Sequence, residues 1–494
     1  MNEYIAYIDE NGMNPKLLQQ IIDETRIDRE RRLQMYNRYK AQEDAVPILT
    51  RKPIDFDTPT NSTIKRLDDK VNNRLNNAFD AEIVDTKIGY MFGNPISYVV
   101  DKRNEKQLEM LYDAMEKFNT RNTIDDKDSE NGKKAAICGY SARLLYINLD
   151  GQESIMQIDP WETIILTNTD VSEPTYGIHY FTTSRINEDG EKVKIEEAVF
   201  YDAKIAHHYR KISEDGEFEL WEEKTKPHLF DYCPLFGIPN NEEMQGDAEK
   251  VYKLIDAYDR TFSDASNEIE QYRLAILILK GMGVDDEQAH SLAKANIIEL
   301  MGENDDARYL TKDVNDTMIE NHLDRLEENI MRLAKSVNFS DESFSGNLSG
   351  VAMKYKLMAL ENKCKTMERK FISALRYQYK VLCSAWAKKG ICAKDDYLKV
   401  WFEFKRNLPS NILEEAQATA SLKGLISERT RLSLLTFVDD TEFELEEMKK
   451  DEIEFGNKLE PLEPIGGENE ELDKELDIEI EKEDEKNGVG VLNE

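Results

Sequence analysis

Two stretches decide how this chain is read: DAEKVYKLIDAYDRTFSDASNEIEQYR from Asp247 to Arg273, and NDTMIENHLDRLEENIMRLAKSV from Asn315 to Val337. In the first, Val251, Tyr258, Ala265 and Tyr272 recur every seven residues, and Ile255, Phe262 and Ile269 stand four positions after the first three. In the second, Ile319, Leu323, Leu326, Ile330, Leu333 and Val337 step 4-3-4-3-4. Both spacings are helical, with two apolar positions in seven, narrower than the stripe an ordinary surface helix buries. Two such helices form either a plain antiparallel hairpin or a pair standing beside neighbours with a polar lumen on one face.

Around this pair the sequence organises in order. Pro15 to Lys40 reads as helix, its second half rich in Arg, Lys and Tyr, and a second helix is predicted from Asn61 to Met91, closed by Gly93-Asn94-Pro95. Asp85 and Lys87 in that helix read as solvent-facing charges. From Ala142 to Trp221 seven strand-like segments alternate with turns at Asp150-Gly151, Asp189-Gly190 and Asp215-Gly216, predicting one antiparallel meander. His207 and His208 share a strand, so their rings point to opposite faces and cannot chelate one metal.

Between the paired helices lies a knob. It is read as a strand over Arg273–Lys280, a short helix over Asp285–Ala295, and a strand pair, 296–301 with 307–312, turned at Glu303-Asn304-Asp305-Asp306. After the second helix comes a polar loop, Phe339-Ser340-Asp341-Glu342-Ser343-Phe344-Ser345-Gly346-Asn347. Ser349 then caps a helix running, with a kink, to about Lys389, roughly 60 Å long. A strand over Leu398–Lys405 and two or three helices between Ile412 and Glu454 complete the ordered part. The fold class is α+β, mostly helical.

Composition narrows the function. With 494 residues, 40% of them hydrophobic, the chain can bury a core and divide into several domains. No apolar run is long enough to span a bilayer, and the first ten residues lack the basic and apolar regions of a signal peptide. Five cysteines without a CxxC pair read as reduced, buried thiols and offer no zinc site. The net charge of −34 opposes broad, tight binding of nucleic acid, although such a surface can surround DNA without gripping it. Thr441 to Glu494 holds 21 acidic and 6 basic residues, net −15, and its last part reads as an unstructured acidic tail. There is no GxxxxGK[ST], HExxH or GxSxG, and Gly281-Met-Gly283 lacks the context of a dinucleotide site, so neither catalytic residue, cofactor nor metal is expected.

Several stretches together resemble the portal proteins of tailed bacteriophages of the SPP1 (Gp6-like) type. They are IVDTKIGYMFGNP (83–95), GIPNN (237–241), Gly246-Asp247, LIDAY (254–258), Ser263-Asp264, Asn267-Glu268, LSGVA (348–352) and Leu360-Glu361, and the resemblance covers nearly all of 15–455. It implies a wing over 1–240, a first stem helix over 241–272, a clip over 273–314 and a second stem helix over 315–338. A tunnel loop, long helix and return to the wing would occupy 339–410, and a crown 411–455; the tail, 456–494, lies outside it. On this reading Val251, Ile255, Tyr258, Phe262, Ile269, Ile319, Leu323, Leu326, Ile330 and Leu333 pack the stem. Phe339–Asn347 would face the DNA, and Asp285, Asp286, Glu287, Glu303, Asn304, Asp305 and Asp306 would dock the motor.

The implied protein is a ring of twelve copies at one vertex of the virion, made in the bacterial cytoplasm, with no membrane association. Double-stranded DNA would pass through it, and its partners would be the terminase large subunit, head-completion adaptors, and the major capsid and scaffolding proteins. Two other classes fit the bare sequence: a cytosolic helical scaffold, and a metal-dependent nuclease built on scattered carboxylates. A dimer of the 57.3 kDa chain would weigh about 115 kDa against about 690 kDa for the ring, and DNA cleavage with Mg²⁺ would mark the nuclease.

Overall fold

The computed structural model describes residues 2–52, 72–100, 106–168, 173–186, 190–212, 216–272, 276–280, 306–310, 316–338, 350–407, 412–435, 438 and 441–455. The chain divides into two units, Met1–Pro409 and Ser410–Glu494.

The first unit begins with α1 (Asn2–Asn11), α2 (Pro15–Glu24) and α3 (Arg26–Tyr39). Asn14 caps α2 by accepting the Leu17 N–H at 2.9 Å, with Pro15 at the first helical position, where its missing N–H costs nothing. These helices lie on a sheet in which β4 (Thr163–Thr167), β5 (Pro174–Ile186), β6 (Lys192–Tyr201), β7 (Ile205–Lys211) and β8 (Glu219–Leu220) follow one another, with β9 (Lys226–Pro227) also on β7. Ile5, Ile8, Leu18, Ile21 and Ile22 bury one face of it, against Ile164, Leu166, Ile178, Ala198 and Phe200. Its other face holds Val199 and Tyr201 against Leu144, Ile158 and Leu235.

The predicted single meander is therefore two sheets. β2 (Tyr140–Ile147) pairs on one side with β3 (Glu153–Ile158) and on the other with β10 (Leu235–Pro239), and a 3-10 turn at Pro160–Glu162 carries the chain across to β4. The predicted helix over 61–91 is corrected as well. α4 spans Phe79–Phe92; residues 72–78 carry no helix, and 61–71 lie outside the described residues. Two helices not read from the sequence, α5 (Lys106–Asn122) and α6 (Ile124–Cys138), and the strand β1 (Ser97–Val100), fill the stretch before β2.

The long helix is α9, Gly350–Lys388. Leu357, Leu360, Cys364, Met367 and Phe371 form a single buried stripe stepping 3-4-3-4, whereas Tyr377 to Trp386 is buried almost all round, apart from Lys380. The helix thus begins on the surface of the main core and ends inside it, where Trp386 meets Phe118 edge to face and Tyr379 at a tilt. Beyond it β13 (Val400–Glu403) returns to pair antiparallel with β1, in register Ser97↔Glu403 to Val100↔Val400. All five cysteines are buried and free.

The first unit also contains α7 (Tyr252–Tyr272), reached through a 3-10 turn at Glu249–Val251, and α8 (Asp316–Ala334). Between them β11 (Ile276–Lys280) pairs antiparallel with β12 (Asp306–Leu310). The partner of 306–310 is thus the strand after the first helix, where the sequence reading paired 307–312 with 296–301; residues 281–305 lie outside the described residues. The second unit contains α10 (Ile412–Ser421), α11 (Glu428–Leu432) and α12 (Thr441–Phe455), with Leu432, Leu435, Val438 and Leu445 packed together.

Val251 and Ile255 share one cluster with Ile330, Met331 and Ala334, so α7 and α8 run antiparallel and bury this part of the seam within a single chain. Ile330 is fully buried there. A carboxylate at this position meets its own subunit's core before any neighbour. Ile330→Asp is expected to lower subunit stability by more than about 4 kcal/mol, read as a large drop in Tm of unassembled protein; an unchanged Tm with lost assembly would place the residue at an interface instead.

Candidate functional site: the stem and its buried joint

On α7 the buried positions are Val251, Ile255, Asp259, Ser263 and Asn267, a four-residue step, while the apolar seam steps 4-3. A four-residue step overshoots the 3.6-residue turn, so the two stripes part after Ile255. Tyr258 and Phe262 are half-buried, Tyr258 meeting Phe79 edge-on at 4.9 Å, and Ile269 is 67% exposed. On α8, Leu326 and Ile330 are buried, Ile319 and Leu323 half-buried, and Leu333 is 51% exposed.

The polar half of the α7 stripe is covered by residues 73–77, which run extended up to the left-handed Ala78. Asn77 N–H donates to Asp259 Oδ1 at 3.0 Å, Leu75 N–H to Ser263 Oγ at 3.0 Å, and Asn73 N–H to Asn267 Oδ1 at 2.8 Å. Two extended residues advance about 6.6 Å and four helical ones about 6.0 Å, so every second N–H meets every fourth side chain. The fit explains why a segment that the sequence reading made helical stays extended. Burial pushes the Asp259 carboxyl up from its usual range, more than its bonds from Asn77 pull it down.

Where α7 and α8 meet α4, β10 and α9, charges are buried. Lys87, read from sequence as solvent-facing, is 1% exposed; its Nζ lies 3.0 Å from Asp247 Oδ2 and donates to Asn240 Oδ1 at 2.7 Å. Asp85 keeps the expected exposure and accepts a bond from Tyr39 Oη at 2.7 Å. Lys363 of α9 reaches Asp247 Oδ1 at 3.3 Å and donates to the Ala334 carbonyl, at the end of α8, at 2.8 Å. Asn240 Nδ2 donates to Asp247 Oδ1 at 3.0 Å.

Burial alone would push the Asp247 carboxyl up, but Lys363, Lys87 and Asn240 together hold it below the usual carboxylate range. For Lys363 burial dominates and lowers its pKa, with Lys87 adding to the effect, because two ammonium groups share one carboxylate. The backbone must come close for this to happen. Asp247 N–H donates to the Ala136 carbonyl at 2.8 Å and Asn240 N–H to Gly139 O at 3.0 Å. A Cβ on Gly246 would lie 2.2 Å from the Ile137 carbonyl oxygen, so only glycine fits beside the end of α6.

A second buried cation braces the same region: Arg38 pairs with Asp80 at 2.9 Å and Asp256 at 2.7 Å, over the Tyr252 ring at 4.3 Å. A third, Arg406, holds Glu361 at 2.8 Å and Glu368 at 2.5 Å beside Tyr90. These charges are paired with one another, an arrangement that fixes geometry, although Arg406 Nη1 is buried without a hydrogen-bond partner. Among the described residues no group of three His, Cys, Asp or Glu is placed to hold a metal, and no helix is long and apolar enough to cross a membrane. Of the knob residues singled out, Asp306 opens β12 opposite Lys280, while Asp285, Asp286, Glu287, Glu303, Asn304 and Asp305 lie outside the described residues, as does all of Phe339–Asn347.

Asp247→Asn would leave two lysines without a counter-ion and is expected to cost about 3–5 kcal/mol at neutral pH. Because the folded carboxyl lies below its unfolded value of about 3.9, this contribution is present above that pH and is lost as pH falls through the folded value. Thermal melts of wild type and variant should therefore converge below about pH 4; a gap independent of pH would show that the carboxylate charge is not what stabilises the joint.

The chain is similar to known proteins over most of its length. It is 25% identical over 390 residues to the portal protein of Clostridium phage phiCD119, covering 75% of this chain and 83% of that one. It is 23% identical over 402 residues to the portal protein of Bacillus phage SPP1, covering 78% of this chain and 77% of that one. The family described as phage portal protein, SPP1 Gp6-like, matches residues 18–456, a span that takes in both sheets of the meander, the joint at Asp247, the paired helices α7 and α8, and α9. The chain therefore belongs to the SPP1 Gp6-like family of phage portal proteins.

Proposed function

We propose that this chain assembles into a ring, of twelve copies, at one vertex of a bacteriophage capsid, and that the ring is the passive conduit through which the genome is packaged and later ejected. The observation that carries this reading is the family match across 18–456. The wing corresponds to 1–240 with its return strand after α9, the stem to 241–272 and 315–338, the clip to 273–314, the tunnel loop and long helix to 339–410, and the crown to 411–455. The ring would be made in the host cytoplasm and retained in the virion, meeting scaffolding and major capsid proteins there. The clip would receive first the terminase large subunit and then the head-completion proteins. The chemistry of transport would belong to the terminase, and this chain would act without cofactor or catalysis.

Charge supports the conduit. Asp247 to Arg273 carries seven acids and four bases, and Asn315 to Val337 five acids and three bases, so a wall built from these helices repels phosphate. Negative-stain images and light scattering of the purified full-length chain test the reading: rings of about 690 kDa are expected, and a species of one or two chains at all concentrations would remove it.

Two further outcomes are expected of assembled rings. Replacing Asp341 and Glu342 together by Lys would place about 24 positive charges around the channel and should slow packaging, with partial relief at higher salt. Packaging at wild-type rate across salt concentrations would place the DNA elsewhere. Reversing the charges of Asp285, Asp286, Glu287, Glu303, Asp305 and Asp306 should leave rings intact but weaken stimulation of the terminase ATPase; undiminished stimulation would place docking away from the clip.

A further inference from the structure

The seam that the sequence offered for packing between copies is largely used inside one chain, so the contact between neighbouring stems must be sought on the outer edges of the hairpin. Helical spacing places Lys253 and Arg260 on the side of α7 opposite Ile255 and Phe262, and Asp324 and Glu328 on the side of α8 turned away from Ile330. All four are exposed. Lys253, Arg260 and Asp324 make no ion pair or hydrogen bond among the described residues, and Glu328 makes only a 3.8 Å contact with Arg325, at which both side chains are more than two thirds exposed. Arg332, on the same edge, donates to Asn329 Oδ1 at 2.8 Å.

Heights along the stem decide which of these could meet. Ile255 and Ile330 lie in one cluster and set a common level for the two helices. Arg260 is five residues further along α7, about 7.5 Å, and Asp324 is six residues back along the antiparallel α8, about 9 Å in the same direction. Lys253 and Glu328 differ in height by about 6 Å, within the reach of a lysine side chain. Copies related by rotation about a ring axis keep the same height. Lys253 and Arg260 of one hairpin then stand level with Asp324 and Glu328 of the next, on edges that also carry Asp264 paired with Arg51, and Arg325 and Arg332.

We propose that the occupant of this surface is a second copy of the chain, and that Arg260 with Asp324, and Lys253 with Glu328, form the electrostatic contact that sets the order and handedness of neighbouring stems. The proposal rests on the ring reading above and adds its pairing rule. The interface is heterologous, one patch meeting a different one, so charge reversal has a distinctive signature.

The test uses the full-length chain in three forms beside wild type: K253E/R260E, D324K/E328K, and the quadruple variant. Each single-edge variant brings like charges together and should reduce the ring fraction at low salt about ten-fold or more, with unchanged Tm of the unassembled subunit. Mixing the two single-edge variants should restore rings, because alternating copies present opposite charges at every junction, and the quadruple variant should assemble alone. Rings of wild-type yield from both single-edge variants, or failure of both the mixture and the quadruple variant to recover, would overturn the pairing while leaving the portal reading standing. Absence of rings from wild type itself would overturn both.

Discussion

Everything at the base of the α7–α8 hairpin depends on one buried carboxylate, Asp247. It lies where the chain leaves β10 and turns into α7, and it draws Lys87 from α4 and Lys363 from α9 to the same point. A buried ion group contributes little net stability compared with well-packed apolar residues, because desolvation offsets most of the attraction. What it supplies is position. An apolar core tolerates small rotations of a helix, whereas a carboxylate between two ammonium groups within 3.3 Å has one arrangement. Lys363 also holds the Ala334 carbonyl, so the end of α8 is indexed to the same charge as the start of α7.

The same logic recurs around the joint. Arg38 ties α3 to α4 and α7 through Asp80 and Asp256, and Arg406 ties the strand after α9 back to α9 through Glu361 and Glu368. In the main core, Arg143 is buried between Asp128, which also accepts from Tyr98 Oη at 2.5 Å, and Gln378 of α9, whose Oε1 accepts from Arg143 at 3.0 Å. Each cation joins segments far apart in sequence, and each is enclosed by aromatic or aliphatic packing. A lever arm such as the α7–α8 hairpin needs this kind of anchorage, since a small angular error at its base grows along about 30 Å of helix.

How much of this was legible in the sequence followed from the range of the interactions. Strand limits from β2 to β7 came through closely because Asp-Gly turns and alternation are local signals. The long helix and the 4-3 seams were equally local. The division of the meander into two sheets was not, because it depends on β10, distant in the chain, taking the edge of β2. Lys87 was misplaced for the same reason: nothing in Thr86-Lys87-Ile88 reveals Asp247, one hundred and sixty positions away. The stretch 72–78 did carry a signal, since Asn72, Asn73, Asn76 and Asn77 favour side-chain bonding over helix, and Asp259, Ser263 and Asn267 repeat at four-residue spacing. Each half is unremarkable until the other is laid beside it.

The pairing of β1 with β13 bears on how the protein is made. The two strands are separated by the whole of α5 to α9, roughly 300 residues, and closing so long a loop costs about 5 kcal/mol of chain entropy by the logarithmic rule. A ribosome adding about 5–20 residues per second needs on the order of 15–60 s to supply the second strand after the first has emerged. During that interval Val100, Tyr98 and the surrounding aromatic rings lack the cover of Phe402, which meets Tyr98 at 5.6 Å in the finished fold. Closure of β1 on β13 is therefore a late event in synthesis, because it must wait until Val400–Glu403 has been made.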